Sequence, residues 1–172
     1  NQEQIEYWND RAGETWAELQ DRLDALLAPL SAAALAAAEV RPGDHVLDVG
    51  CGCGDTSIAM SAMGAKVLGV DVSAPMLARA RSRDASIEYQ QADAATTDFA
   101  RAFDLVFSRF GVMFFDDAAA AFQNLHNALT SDGRLLFVCW QPPARNPGGI
   151  APLVLPPPPK EPVREFPTVA LL

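Results

Sequence analysis

The chain has 172 residues, enough for one substantial domain and too few for two comfortable ones. Apolar residues make up 49%, which suffices for a packed core, and the formal net charge of −9 argues against a nucleic-acid backbone as partner. Cys51, Cys53 and Cys139 lack the spacing of a disulfide framework and fit a reducing compartment such as the cytoplasm, and together with His45 and His126 they show no metal-ligand spacing.

Residues 3–38 read as helical, with Trp16, Leu19, Leu23, Leu26, Leu27 and Leu30 at spacings of three and four. Pro29 is expected to bend or break this run, which then resumes from Ser31 as a cap. "RPGD" is a turn that closes this entry. A regular alternation follows. "HVLDVG" (45–50) is a strand, "DTSIAMSAMG" (55–64) a helix stopped by Gly64, and "AKVLGVD" (65–71) a second strand. Residues 73–83 form a helix capped by Ser73 with Pro75 in its first turn. Strands at 86–93 and 103–109 come next, then an amphipathic helix over 116–133 closed by Gly133, and a fifth strand at 134–140. Strands that alternate with helices require crossover connections. The expected fold is therefore α/β, a doubly wound, mostly parallel Rossmann-like sheet with helices on both faces and an N-terminal helical cap. The expected organisation is a cap over 1–40, a core over 41–140 and a Pro-rich lid or linker over 141–172. That last segment holds most of the prolines and cannot form a regular helix or a central strand. No apolar run approaches the ~20 residues of a membrane span.

"GCGCG" (50–54) is the turn between the first strand and its helix. Gly50, Gly52 and Gly54 remove Cβ atoms where a ligand or the helix must come close. The helix N-terminus beyond suits an anionic group. A dinucleotide turn wants G-x-G-x-x-G, and here the sixth position is Asp55, which would repel a pyrophosphate.

The G-x-G-x-G spacing after Asp48 resembles instead the first motif of class I S-adenosylmethionine-dependent methyltransferases. "VLGVDVSAPML", "QADAATTDF", "FDLVFSRFGVMFF" and "LTSDGRLLFVCW" resemble the motifs that follow it, in order. The resemblance implies that S-adenosylmethionine is the cofactor and that its methyl group passes to a small-molecule acceptor. It places Gly50, Cys51, Gly52 and Gly54 against the ligand, with Asp48 near its methionine end. Asp48 also reads as a structural acceptor for loop N–H groups.

Asp71 would hold both ribose hydroxyls, a carboxylate being a natural bidentate acceptor for a cis-diol; the alternative is a turn residue. Asp93 would meet the adenine amine, with Ala94 supplying backbone, and Val72 and Met76 would flank the ring unless they are ordinary core. "YWN…W", with Tyr7, Trp8 and Trp16, resembles a helical cap that closes over the cofactor, although Trp16 also reads as core. Ser108, Arg109 and Phe110 follow the fourth strand at the edge where such sheets open their crevice. Arg109 is a candidate for the ligand carboxylate or the acceptor, or a solvated arginine. Phe114 and Phe115 read as pocket wall or core.

His126 reads as a partly exposed helix residue, and no Ser-His-Asp or Cys-His set can be assembled, so the catalytic residue is left unassigned. A nicotinamide-dependent oxidoreductase and a cofactor-binding domain without turnover remain the competing readings. The resemblance also implies a seven-stranded sheet in the order 3-2-1-4-5-7-6, and the tail offers only "PTVALL" as a further apolar run. The expectation is that residues beyond the tail complete the sheet, or that a partner such as a second copy covers the edge of the fifth strand.

Overall fold

A computed structural model describes residues 1–100 and 102–140; the Pro-rich segment 141–172, with the lid and the short run 167–172 expected there, lies outside the described residues. The unit Asn1–Cys139 contains every element named below.

The sheet has five strands, of which the central ones are buried on both faces: β1 (His45–Val49), β2 (Lys66–Asp71), β3 (Glu88–Gln91), β4 (Phe103–Arg109) and β5 (Leu129–Val138). They pair in the order β3-β2-β1-β4-β5 with every ladder parallel, so the sequence-based fold class holds. Among the described residues the sheet ends at β5. The crossovers are α4 (Asp55–Ala62), α5 (Ala74–Arg83) and α6 (Ala118–Ala128), and α1 (Gln2–Asn9), α2 (Arg11–Glu18) and α3 (Gln20–Ala38) precede the sheet.

The pleat sends neighbouring side chains to opposite faces. Val46, Leu105 and Phe107 join Ala34, Met60, Leu77 and Ala80 of α3, α4 and α5 in one core layer. Leu47, Val49 and Val106 join Leu125 and Ala128 of α6 in the other. Asp48 shares its parity with Val46 and therefore points toward α4, in the first layer.

Three local expectations change. The single helical run at the N-terminus is three helices, broken at Asp10 and Leu19. Pro29 lies inside α3 without ending it, because the buried stripe Leu27, Ser31, Ala34, Ala38 holds both halves on the sheet. Ser31 is accordingly no cap: it is buried and its hydroxyl donates to the Leu27 carbonyl at 3.1 Å. Finally, α6 stops at Ala128, not Gly133. Leu129 turns extended and pairs with Phe103, and the register slips before Arg134 meets Leu105. At Gly133 a Cβ would lie 2.9 Å from the Phe103 carbonyl oxygen, so this glycine serves the irregularity and not a helix end. Arg134 then reaches back to the Ala38 and Glu39 carbonyls and to Asp44, capping α3 with a guanidinium. Among the described residues no helix is long and apolar enough to cross a membrane.

Candidate functional site

The turn after β1 is built from left-handed backbone, with φ of 68° at Gly50, 54° at Gly52 and 83° at Gly54. Side-chain-bearing residues are disfavoured there. Packing adds to this at two of the three positions. A Cβ on Gly50 would sit 2.6 Å from Gly111 Cα, and one on Gly54 would sit 2.5 Å from the Tyr89 hydroxyl. At Gly52 only the flexible tip of Met76 is close. The Gly50 and Cys51 amides both donate to the Val70 carbonyl, which ties the turn to the end of β2. Gly54 then opens α4 as an N-cap with no side-chain hydrogen bond to the first amides. The result is a shelf of bare backbone leading into a helix N-terminus, with chemistry suited to an anion.

Two carboxylates stand at this shelf. Asp71, the last residue of β2, accepts from the Gly52 amide at 2.8 Å through Oδ2 and from the Ser73 amide at 2.9 Å through Oδ1. Burial pushes its pKa up, and the backbone donors oppose that shift. Each oxygen has a second acceptor site, so a pair of adjacent hydroxyls can still be received. Asp48 is fully buried. Its Oδ2 accepts from Thr56 Oγ1 at 2.8 Å and Ser57 Oγ at 2.6 Å, while Oδ1 is buried with no partner. Burial raises its pKa to about 6 despite the two hydroxyl donors. Asp48 thus meets the first turn of α4 through side-chain hydroxyls, and not the loop amides of the alternative structural reading. The thiols of Cys51 and Cys53 are buried, and burial raises both pKa values, so neither is poised as a nucleophile.

Beyond β3, Asp93 accepts from the Ala95 amide and from Asn1 Nδ2 through Oδ1, and the Ala94 carbonyl accepts from Asn124. A cleft of about 130 Å³ opens beside Asp93, between Thr96, Asp116 and Ala120. Val72 is half-buried, and its carbonyl accepts from Asn9 at 2.8 Å and Gln91 at 3.1 Å; Met76 is buried with its tip under Gly52. Thus the turn, Asp71, Val72 and Met76 come together along the carboxyl ends of β1 and β2, with Asp93 and Ala94 following at β3.

Ser108 and Arg109 meet the turn from the β4 side. The buried Ser108 hydroxyl donates to the Val49 carbonyl at 2.8 Å and accepts from the Gly111 and Val112 amides. It clips the loop after β4 to the end of β1. Arg109 donates to Asp55 Oδ2 at 2.8 Å and to Ser31 Oγ, which directs its guanidinium to α3 and α4. Next in the chain, Phe110 adopts φ +66°, a rare state for an aromatic residue and one that concentrates at functional edges. Trp16 is half-buried and packs edge-on against Trp8, which packs likewise on Phe114, so the cap aromatics reach the β4 loop. His126 is exposed on α6, and His45 is exposed at the opposite edge of the sheet, 3.8 Å from Asp104. Among the described residues no group of three or more His, Cys, Asp or Glu side chains is placed to hold a metal ion.

The sequence model of the methyltransferase domain family matches residues 46–133, just over half of the chain. The chain belongs to this family. An uncharacterized protein of Mycobacterium tuberculosis, Rv1405c, is 36% identical over 120 residues, covering 67% of this chain and 44% of its own length. The malonyl-[acyl-carrier protein] O-methyltransferase of Enterobacter lignolyticus is 41% identical over 122 residues, covering 70% of this chain and 45% of that protein. Phosphoethanolamine N-methyltransferase 2 of Haemonchus contortus has a TM-score of 0.60 at 33% identity, over 63% of this chain and 27% of that one. Its structure is a complex with phosphomonomethylethanolamine and S-adenosylhomocysteine. The chain thus spans less than half the length of these relatives.

Two features of this methyltransferase domain escape sequence reasoning. Asn9, inside "YWN", ties the end of α1 to the loop after β2: its amide donates to the Val72 carbonyl and its oxygen accepts from the Ala74 amide. Its amide also donates to the Ile5 carbonyl one turn back, the local pattern expected of Asn, so nothing in the sequence marks the long-range contacts. Asp55 pairs with Arg109, and Arg83 lies 4.0 Å away. The sequence shows Asp55 only as an acid beside the turn, because its partners lie far off in the chain.

Proposed function

We propose that this chain binds S-adenosylmethionine and transfers its methyl group to a small-molecule acceptor. The observation that carries this reading is Asp71, fixed by the Gly52 and Ser73 amides at the rim of a glycine shelf, with both oxygens able to accept further. The glycine-rich turn and the unpartnered Asp48 Oδ1 fit the same group. The amides at the start of α4 and the turn Gly50–Gly54 would hold the amino-acid end, Asp71 the ribose, and Val72, Met76, Asp93 and Ala94 the adenine.

When bound, the sulfonium supplies an already activated methyl group. The chain's own work is then alignment and exclusion of water, for which ~7–11 kcal/mol is available from proximity alone. Ser108 fixes the loop that carries Phe110 and Gly111 against the turn, and the Trp8–Trp16–Phe114 cluster walls the same edge.

The case against the competing nicotinamide reading rested partly on repulsion of a pyrophosphate by Asp55. Because Asp55 pairs with Arg109, that repulsion is largely compensated, and the distinction now rests on the spacing of the three glycines. The net charge of −9 supports a small acceptor over nucleic acid, and three free cysteines support a cytoplasmic setting. The boundary near residue 40 is supported by the end of α3 at Ala38 and the start of β1 at His45. A second copy across the edge of β5 is part of the same proposal, supported by the half-exposed apolar face of that strand.

Calorimetric titration with S-adenosylhomocysteine and, separately, with NAD tests the cofactor. Binding of the first alone is expected, and binding of NAD alone overturns the reading. Release of S-adenosylhomocysteine during incubation of S-adenosylmethionine with a panel of small acceptors separates turnover from binding without turnover.

A further inference from the structure

Four charged side chains meet where the glycine turn leads into α4. Arg109, from the end of β4, reaches Asp55 at 2.8 Å and the Ser31 hydroxyl. Arg83, from the last turn of α5, reaches Asp24 at 2.8 Å, donates to the Cys53 carbonyl at 2.9 Å, and lies 4.0 Å from Asp55. Gln20 donates to Asp24 as well. The formal charges cancel, and the side chains are only 12–27% exposed, so these contacts are better shielded than surface ion pairs.

The pattern of attachment is specific. Gln20, Asp24 and Ser31 all lie on α3, the cap helix nearest the sheet, whereas Cys53 and Asp55 are the last stretch of the turn and the first residue of α4. Each guanidinium therefore holds α3 with one contact and the turn's exit with another. Three of the five turn residues have no side chain, so the turn's shape must be imposed from outside. The Val70 carbonyl and Asp71 do this at the entrance, and the two arginines do it at the exit.

We infer that Arg83 and Arg109 are positioning residues that couple the docking of α3 to the shape of the cofactor turn, so that cofactor binding and cap docking stabilise each other. This rests on the functional reading above. Coupling of this kind is reciprocal: whatever fixes the turn must also protect α3.

Two measurements test it. In the unaltered protein, hydrogen exchange of the α3 amides is followed with and without S-adenosylhomocysteine; the ligand is expected to slow exchange around Asp24–Ser31. Calorimetry on Arg109→Gln is expected to show about tenfold weaker binding, within the usual range of coupling between sites. Arg109→Lys recovers part of that loss. The double variant Asp55→Asn, Arg109→Gln binds about as tightly as Arg109→Gln alone, because the shared contact is the short one and Asp55 otherwise meets only Arg83, at 4.0 Å. If the unaltered protein binds the ligand while α3 exchange stays the same, or if Arg109→Gln binds as tightly as the unaltered protein, the inference is overturned and the functional reading stands. If the unaltered protein does not bind the ligand at all, both fall together.

Discussion

Asp48 combines full burial, two hydroxyl donors on one oxygen and none on the other. Its pKa rises from 3.8 to about 6 on folding, so the folded protein holds this proton more tightly than the unfolded chain does. The sign follows from linkage. Below about pH 4 the group carries no penalty, between there and about pH 6 stability falls as pH rises, and above that the loss is constant at roughly 3 kcal/mol. The stability of Asp48→Asn relative to the unaltered protein should thus improve by roughly 3 kcal/mol between about pH 4 and pH 7 in urea titrations, and a flat difference contradicts the assignment. The glycines make a second residue-level prediction. Both glycines have a left-handed φ that alanine disfavours; Gly50→Ala adds a clash with the Gly111 backbone and should cost about 2 kcal/mol or more, whereas Gly52→Ala adds only contact with the flexible Met76 tip and should cost about 1 kcal/mol. Chemical denaturation of the two variants tests the order. Most of this was legible: the glycine spacing and Asp71 stood in the sequence at the right separation. The commitments of Ser108 and Arg109 were not, because their partners Val49, Ser31 and Asp55 lie more than fifty residues away and leave no local pattern.

At the scale of elements, the strand–helix alternation was readable because burial on both faces writes an apolar run into β1, β2 and β4. The failures have specific causes. The apolar spacing of residues 16–30 continues across Leu19, so nothing local marks the break between α2 and α3. Pro29 is overridden by packing, and the β5 irregularity depends on β4. How the cap docks was equally invisible. Gly13 is buried where a Cβ would lie 2.1 Å from the Trp8 carbonyl oxygen and 2.6 Å from the Ser73 hydroxyl. That hydroxyl itself donates to Trp8 at 2.7 Å. Gly13→Ala should therefore loosen α1 and α2 from α5 at a cost of about 2 kcal/mol. Limited proteolysis is expected to cut within α1 and α2 first while the sheet stays intact. Unchanged resistance there would show that the cap is held by other contacts.

For the whole molecule, the order β3-β2-β1-β4-β5 places its reversal at β1 and β4, where connections leave toward opposite faces of the sheet. The carboxyl end of the sheet at that point carries the glycine turn, Asp71 one strand over, Phe110 with its left-handed backbone and, through Trp8 on Phe114, the aromatic edge of the cap. A ligand bound there should stabilise the fold as a unit, by about 2.7 kcal/mol with ligand at about a hundred times its Kd. The most direct measurement is calorimetric titration of S-adenosylhomocysteine into the unaltered protein and into Asp71→Ala. Saturable binding to the first, at least about tenfold weaker in the second, is the predicted result. No binding to the unaltered protein at millimolar ligand, or equal affinity in the two, would contradict it.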